Sequence, residues 1–245
     1  MLNPLAPVID YQSMLNRIFW FTTASALGAI WLLRAQVAAV DAALSQIDFA
    51  VGWQGQQLVP APGGSLLPAL AIGMAARIFR LHARIADFLG LREIFDIEVI
   101  IQSLADKLDV SLEPLGEEPL RQARHALMRK AFYPYVGGPQ QAVDDVLVQQ
   151  ALDAWSWLWV AVEAIPVWTC ASFCLLAAGA TRVGFETLGA AMLVALLGLP
   201  ALRSQCKRYA IAQVRAIVAD PARAAAVRRA FDEVLAQPPV IRLAA

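Results

Sequence analysis

The sequence predicts an all-α, polytopic helical membrane protein, with about four transmembrane helices in two hairpins and a helical cytoplasmic insert between them. Three observations carry this. Hydrophobic residues make up 59% of the 245 and charged residues 16%, against roughly 45–50% and 25% in an average soluble domain. Four apolar stretches approach the roughly 20 residues that cross a bilayer. Lysine and arginine, finally, are spread very unevenly between the intervening loops. The mean hydropathy of +0.55 points away from a disordered chain, an ordinary soluble enzyme or a protein that binds nucleic acid through bulk charge. Net charge is zero, from 20 basic and 20 acidic residues.

The first stretch runs from Ile18 to Leu33, between Arg17 and Arg34, which can snorkel to the headgroups and lengthen a short span (about 18–37). It is expected to remain as an uncleaved anchor: no basic cluster precedes it and Arg34-Ala-Gln is a poor cleavage site. A periplasmic excursion from Ala35 to Gln57 follows, with turns at Gly52-Trp53-Gln54-Gly55 and around Pro60 and Pro62. The second stretch, about 58–78, also carries Pro68 and reads as a kinked span or a re-entrant hairpin. The third runs from about Ala154 to Ala180, interrupted by Glu163, and the fourth from Thr187 to Leu202 (spans about 155–180 and 184–202). Trp20 and Trp31 near the ends of the first span, and Trp155, Trp157 and Trp159 at the start of the third, read as interface anchors.

With four spans, one side of the membrane receives 18 basic residues and the other 2. The rich side is cytoplasmic by the positive-inside rule. Both termini and the region 81–153 then lie in the cytoplasm of a bacterial cell, and the spans in its inner membrane. Four segments follow: an N-terminal membrane hairpin (1–80), a cytoplasmic helical domain (81–153), a C-terminal membrane hairpin (154–203) and a cytoplasmic helical tail (204–245).

The insert reads as helices. Leu81, Ile85 and Phe88 share one face, and Gly90 stops that helix. Ile97, Ile100, Leu104 and Leu108 mark a second, Pro114-Leu115-Gly116 a break, and Leu120, Ala123, Leu127 and Ala131 a third. A last helix, from Pro139, can run on into the third span. In the tail, Asp220 suits an N-cap and Pro221 the first helical position.

Glu163 is the most informative residue. It sits about eight residues into its span, roughly 12 Å along a helix, with Pro166 just beyond. An ionisable group there costs at least about 2–3 kcal/mol on insertion scales, so it must face protein or water. It reads either as a pore-lining or gating carboxylate or as a structural acid bonded to a neighbouring helix. Ala24 and Gly28 in the first span, and Gly189 and Gly198 in the fourth, are small enough for close helix packing within one chain or between copies. Basic stripes at Arg77, Arg80 and Arg84, and at Arg121, Arg124, His125 and Arg129, suit anionic lipid headgroups. The second stripe, with Phe132, Tyr133 and Tyr135 nearby, also allows a nucleotide or oligonucleotide. No catalytic motif, metal-ligand spacing or cofactor motif is present, so no enzyme is expected.

Two functions of different class fit: a homo-oligomeric effector or channel that permeabilises the membrane on a cytoplasmic signal, or a non-conducting anchor that recruits a cytoplasmic partner complex. The stretch Arg84-Ile85-Ala86-Asp87-Phe88-Leu89-Gly90-Leu91-Arg92-Glu93-Ile94-Phe95-Asp96-Ile97, with Ala151-Leu152-Asp153-Ala154-Trp155-Ser156-Trp157 entering a span, resembles small multi-span membrane effectors of bacterial phage-defence operons, including retron-type systems. That resemblance implies membrane disruption on infection and a soluble sensor partner, and it assigns no site residue.

Overall fold

The computed structural model describes residues 7–51, 63–112 and 116–236, with backbone alone at 48–51. Among them every regular element is helical. Three helices are long and apolar enough to cross a membrane: Tyr11–Gln36, Asp145–Ala177 and Thr181–Val218. A fourth candidate is the pair Gly63–Ile78 and Leu81–Phe88, bent by 55° at a short break. The second stretch is thus a broken span or a re-entrant segment. The prolines at 60 and 62, the turns at 52–55 and the break at 114–115 lie outside the described residues.

The chain divides into two compact units. The first comprises residues 1–85 and 152–203. Its α1 (Tyr11–Gln36) starts at a capping box, in which Asp10 accepts from the Ser13 amide and the Ser13 hydroxyl accepts in return from the Asp10 amide. The stretch expected as an excursion with turns contains a helix, α2 (Ala38–Val51), packed on α1 and on α3 (Gly63–Ile78). α3 runs through Pro68 without a break. It lies along α1 because small residues face each other: a Cβ added at Gly73 would collide with the Thr23 side chain. Ala26, Ile30 and Ala69 form a buried cluster with Leu27, Leu44 and Val167 around it. That cluster draws on α1, α2, α3 and α9 (Asp145–Ala177).

α3 stops at Ile78 and α4 (Leu81–Phe88) begins after Phe79 and Arg80. Arg80 has φ +49°, a left-handed conformation that costs a side chain about 1–2 kcal/mol. Arg77, Arg80 and Arg84 therefore do not share one helix face. α9 runs unbroken through Pro166, from Asp145 rather than from Pro139, because residues 137–144 turn ahead of it. It is followed by α10 (Thr181–Leu193), a π-helical stretch (Val194–Gly198) and α11 (Leu199–Val218), one continuous helix. Only 6% of its most apolar window is buried. Phe185, Leu193, Leu196 and Leu197 are exposed, as a surface bathed by hydrocarbon would be.

The second unit, residues 86–151 and 204–245, contains α5 (Leu91–Phe95), a π-helical stretch (Asp96–Ile101), α6 (Gln102–Lys107), α7 (Glu117–Leu127), a second π-helical stretch (Met128–Phe132), α8 (Tyr133–Val136) and α12 (Pro221–Leu235). Gly90, at φ +62°, separates α4 from α5. α12 packs on α7 and on Met128–Phe132. Its N-cap Asp220 accepts from the Ala222 amide, with Pro221 opening the helix as expected. Phe231, Val227, Leu127 and Ile101 are buried.

Candidate functional site

In the first unit, a carboxylate is drawn into a cage of donors. Glu163 is 1% exposed. Its Oε2 accepts from the Thr22 hydroxyl at 2.6 Å, and its Oε1 accepts from the His82 amide at 3.0 Å. The same Oε1 lies 3.2 Å from His82 Nδ1. With its ring proton on Nδ1, His82 donates twice and the carboxylate accepts three bonds, which suits a group that can only accept. His82 lies in the first turn of α4, where amides lack helical acceptors. Glu163 therefore completes the start of α4 after the bend, much as a capping side chain would, but from another helix. The clamp joins α1, α4 and α9, and the His82 ring sits 6.0 Å from that of Trp159.

The surroundings keep water out. Trp159 is 3% exposed and stacks on Trp155 with centroids 5.5 Å apart. It is core rather than the expected interface anchor, because the ring closes over the clamp. His82 Nε2 is buried without a hydrogen-bond partner among the described residues.

Two to three turns before Glu163 on α9 lies a second polar contact. Arg17 Nη1 donates to Asp153 Oδ1 at 2.5 Å and to Ser156 Oγ at 2.8 Å. Its guanidinium lies 5.1 Å from the Trp157 ring centroid. Arg17 is 5% exposed, so the expected snorkelling to headgroups does not occur: an acid and a hydroxyl on α9 receive it instead. Arg34 likewise reaches Asp41 and Ser65.

The other sequence-selected residues disperse. Pro166 is half-buried inside α9. Gly28 meets the Trp168 ring, 3.3 Å from where a Cβ would stand, and so serves close packing. Ala24 is exposed, Gly189 has nothing near it, and Gly198 meets only Val194 of its own helix. Arg77 donates to Asn16 Oδ1 at 2.8 Å and lies over Phe19, whereas Arg80 and Arg84 are exposed. In the second unit, Arg121 pairs with Glu93 and Glu117, and Arg124 pairs with Asp96 at 3.2 Å and touches His125. Arg129 is exposed. Carboxylates thus already occupy two of the three arginines in the expected anion-binding stripe.

Sequence reasoning missed Thr22, Arg17 and His82 as partners. The available signal was polarity out of place: Thr22 and Thr23 interrupt an apolar run, and Asp153 and Ser156 share a face of the helix that carries Glu163. Among the described residues no cluster of histidine, cysteine or carboxylate side chains could hold a metal ion.

Compared with known proteins, the chain matches the model of the YmfE protein family over residues 10–233. No curated protein and no solved structure matches it.

Proposed function

As a member of the YmfE protein family, to which it belongs by that match, the chain is, we propose, a non-conducting integral protein of the bacterial inner membrane that presents a helical cytoplasmic unit to a partner complex. The observation carrying this reading is the clamp. A carboxylate that lines or gates a pore must meet water, whereas both Glu163 oxygens are occupied by donors from two other helices and the residue is 1% exposed. The second supporting feature is charge: counting the second apolar stretch as one crossing that ends at Arg77 leaves 18 basic residues on the side carrying both termini and 2 on the other. Reporter fusions after Gln57 should read as periplasmic and fusions at both termini as cytoplasmic.

The experiment is ion flux from liposomes that hold the purified full-length chain. The expected flux equals that of empty vesicles, and a flux abolished by Glu163→Gln would overturn the reading. A second reading keeps one specific support: the helix Thr181–Val218 leaves an apolar face open, with nothing packed on Gly189. Copies that associate there would make an oligomeric channel between chains, the membrane-permeabilising effector that the resemblance to phage-defence proteins implies. Flux that survives Glu163→Gln and is lost in Gly189→Leu would favour it.

A further inference from the structure

We propose that the bend between α3 and α4 is a binding site for the phosphate of an anionic phospholipid, held by Arg80 and Arg84. The proposal rests on the membrane reading above and adds a ligand to it. Arg80 stands at φ +49°, where glycine is at home and an arginine is strained. The backbone there needs no side chain: the Arg80 carbonyl accepts from the Ala83 and Arg84 amides at 2.9 and 3.1 Å, and glycine would supply the same carbonyl. Glycine there would lose only the guanidinium.

That guanidinium has no partner among the described residues, and Arg84 has no carboxylate. Arg84 instead lies 5.5 Å from the ring centroid of Phe79, the residue next to Arg80 in the bend. Other arginines of this unit are engaged: Arg17, Arg34 and Arg182 by acids and Arg77 by Asn16. Ile78 and Phe79, beside the two cations, are 68% and 57% exposed. Two cations with no carboxylate partner among the described residues, at the end of an apolar helix and next to exposed hydrocarbon, complement a molecule that joins an anionic phosphate to acyl chains. A soluble phosphate would leave Ile78 and Phe79 unused.

The test titrates full-length protein in phosphatidylcholine nanodiscs with rising fractions of phosphatidylglycerol and counts bound lipid by native mass spectrometry. Wild type should retain phosphatidylglycerol over phosphatidylcholine. Arg80→Gly with Arg84→Gln should weaken that retention about thirtyfold, two basic residues acting near the surface. Arg80→Lys with Arg84→Lys should keep most of it, and Arg182→Gln all of it. Unchanged retention in the Gly/Gln variant, or full displacement by millimolar inorganic phosphate, would overturn the proposal. So would a lower melting temperature of Arg80→Gly alone in pure phosphatidylcholine, because it would make the arginine structural. Failure of the membrane reading has a different signature: a chain that stays monodisperse without detergent removes both.

Discussion

Replacing Glu163 by leucine removes every acceptor from a site that holds three donors. The Thr22 hydroxyl, the His82 amide and His82 Nδ1 are left facing hydrocarbon. A buried donor left without a partner costs about 1–3 kcal/mol. Hydrogen bonds measured in membrane proteins are weaker, averaging about 0.6 kcal/mol, because side chains find other partners in the unfolded state. The His82 amide has no such freedom, being fixed in the first turn of α4. The expected loss for Glu163→Leu is therefore about 3 kcal/mol. Glu163→Gln keeps one acceptor oxygen but turns a donor toward a donor, and should lose about 1–2 kcal/mol. Thr22→Val removes one bond at nearly constant shape and should lose about 1 kcal/mol. The assay is equilibrium unfolding of the full chain in mixed micelles, run as a double-mutant cycle between positions 22 and 163. A Glu163→Leu variant within about 0.5 kcal/mol of wild type, or a cycle with no coupling, would refute the clamp.

Other perturbations give graded outcomes. Gly73→Ala should destabilise the first unit by about 1–3 kcal/mol, since the new methyl collides with Thr23, while Gly189→Ala, in open space, should leave the melting temperature unchanged. Arg17→Met should cost about 1–2 kcal/mol by the same unfolding assay, less than the Glu163 change, because its partner Asp153 is 44% exposed and can turn to water. Burial pushes Asp96 up to about 6, against the pull of Arg124 and Arg92. The folded state then binds the proton more tightly than the unfolded chain, so stability is fullest below about pH 4 and falls as pH rises through 6, by up to about 3 kcal/mol. A melting series from pH 4.5 to 7.5 should show that slope in wild type and a flatter one in Asp96→Asn.

The helices long and apolar enough to cross a membrane were legible because length and apolar composition are local quantities: α1, α9 and the continuous helix Thr181–Val218 follow from long apolar runs. Gly90 and Asp220-Pro221 mark helix ends by residue type alone. α2 was missed because Asp41, Ser45 and Asp48 break its apolar run below span length, so it passes for a loop. The break at Phe79-Arg80 had no glycine or proline to announce it. Glu163 was found by its incongruity, but its partners lie 81 and 141 residues away. No periodicity within one helix reports which residue of another will face it. The reach of Arg17 for Asp153 rather than for headgroups is hidden for the same reason.

The 81 residues between His82 and Glu163 also set a clock. At a synthesis rate of about 5–20 residues per second, Glu163 follows His82 out of the ribosome by roughly 4–16 seconds. For that interval the Thr22 hydroxyl and the His82 amide have both been synthesised, yet neither has its acceptor. α1 and the start of α4 thus wait on α9 for the carboxylate that joins them. During biogenesis the arrival of one carboxylate is what satisfies both donors.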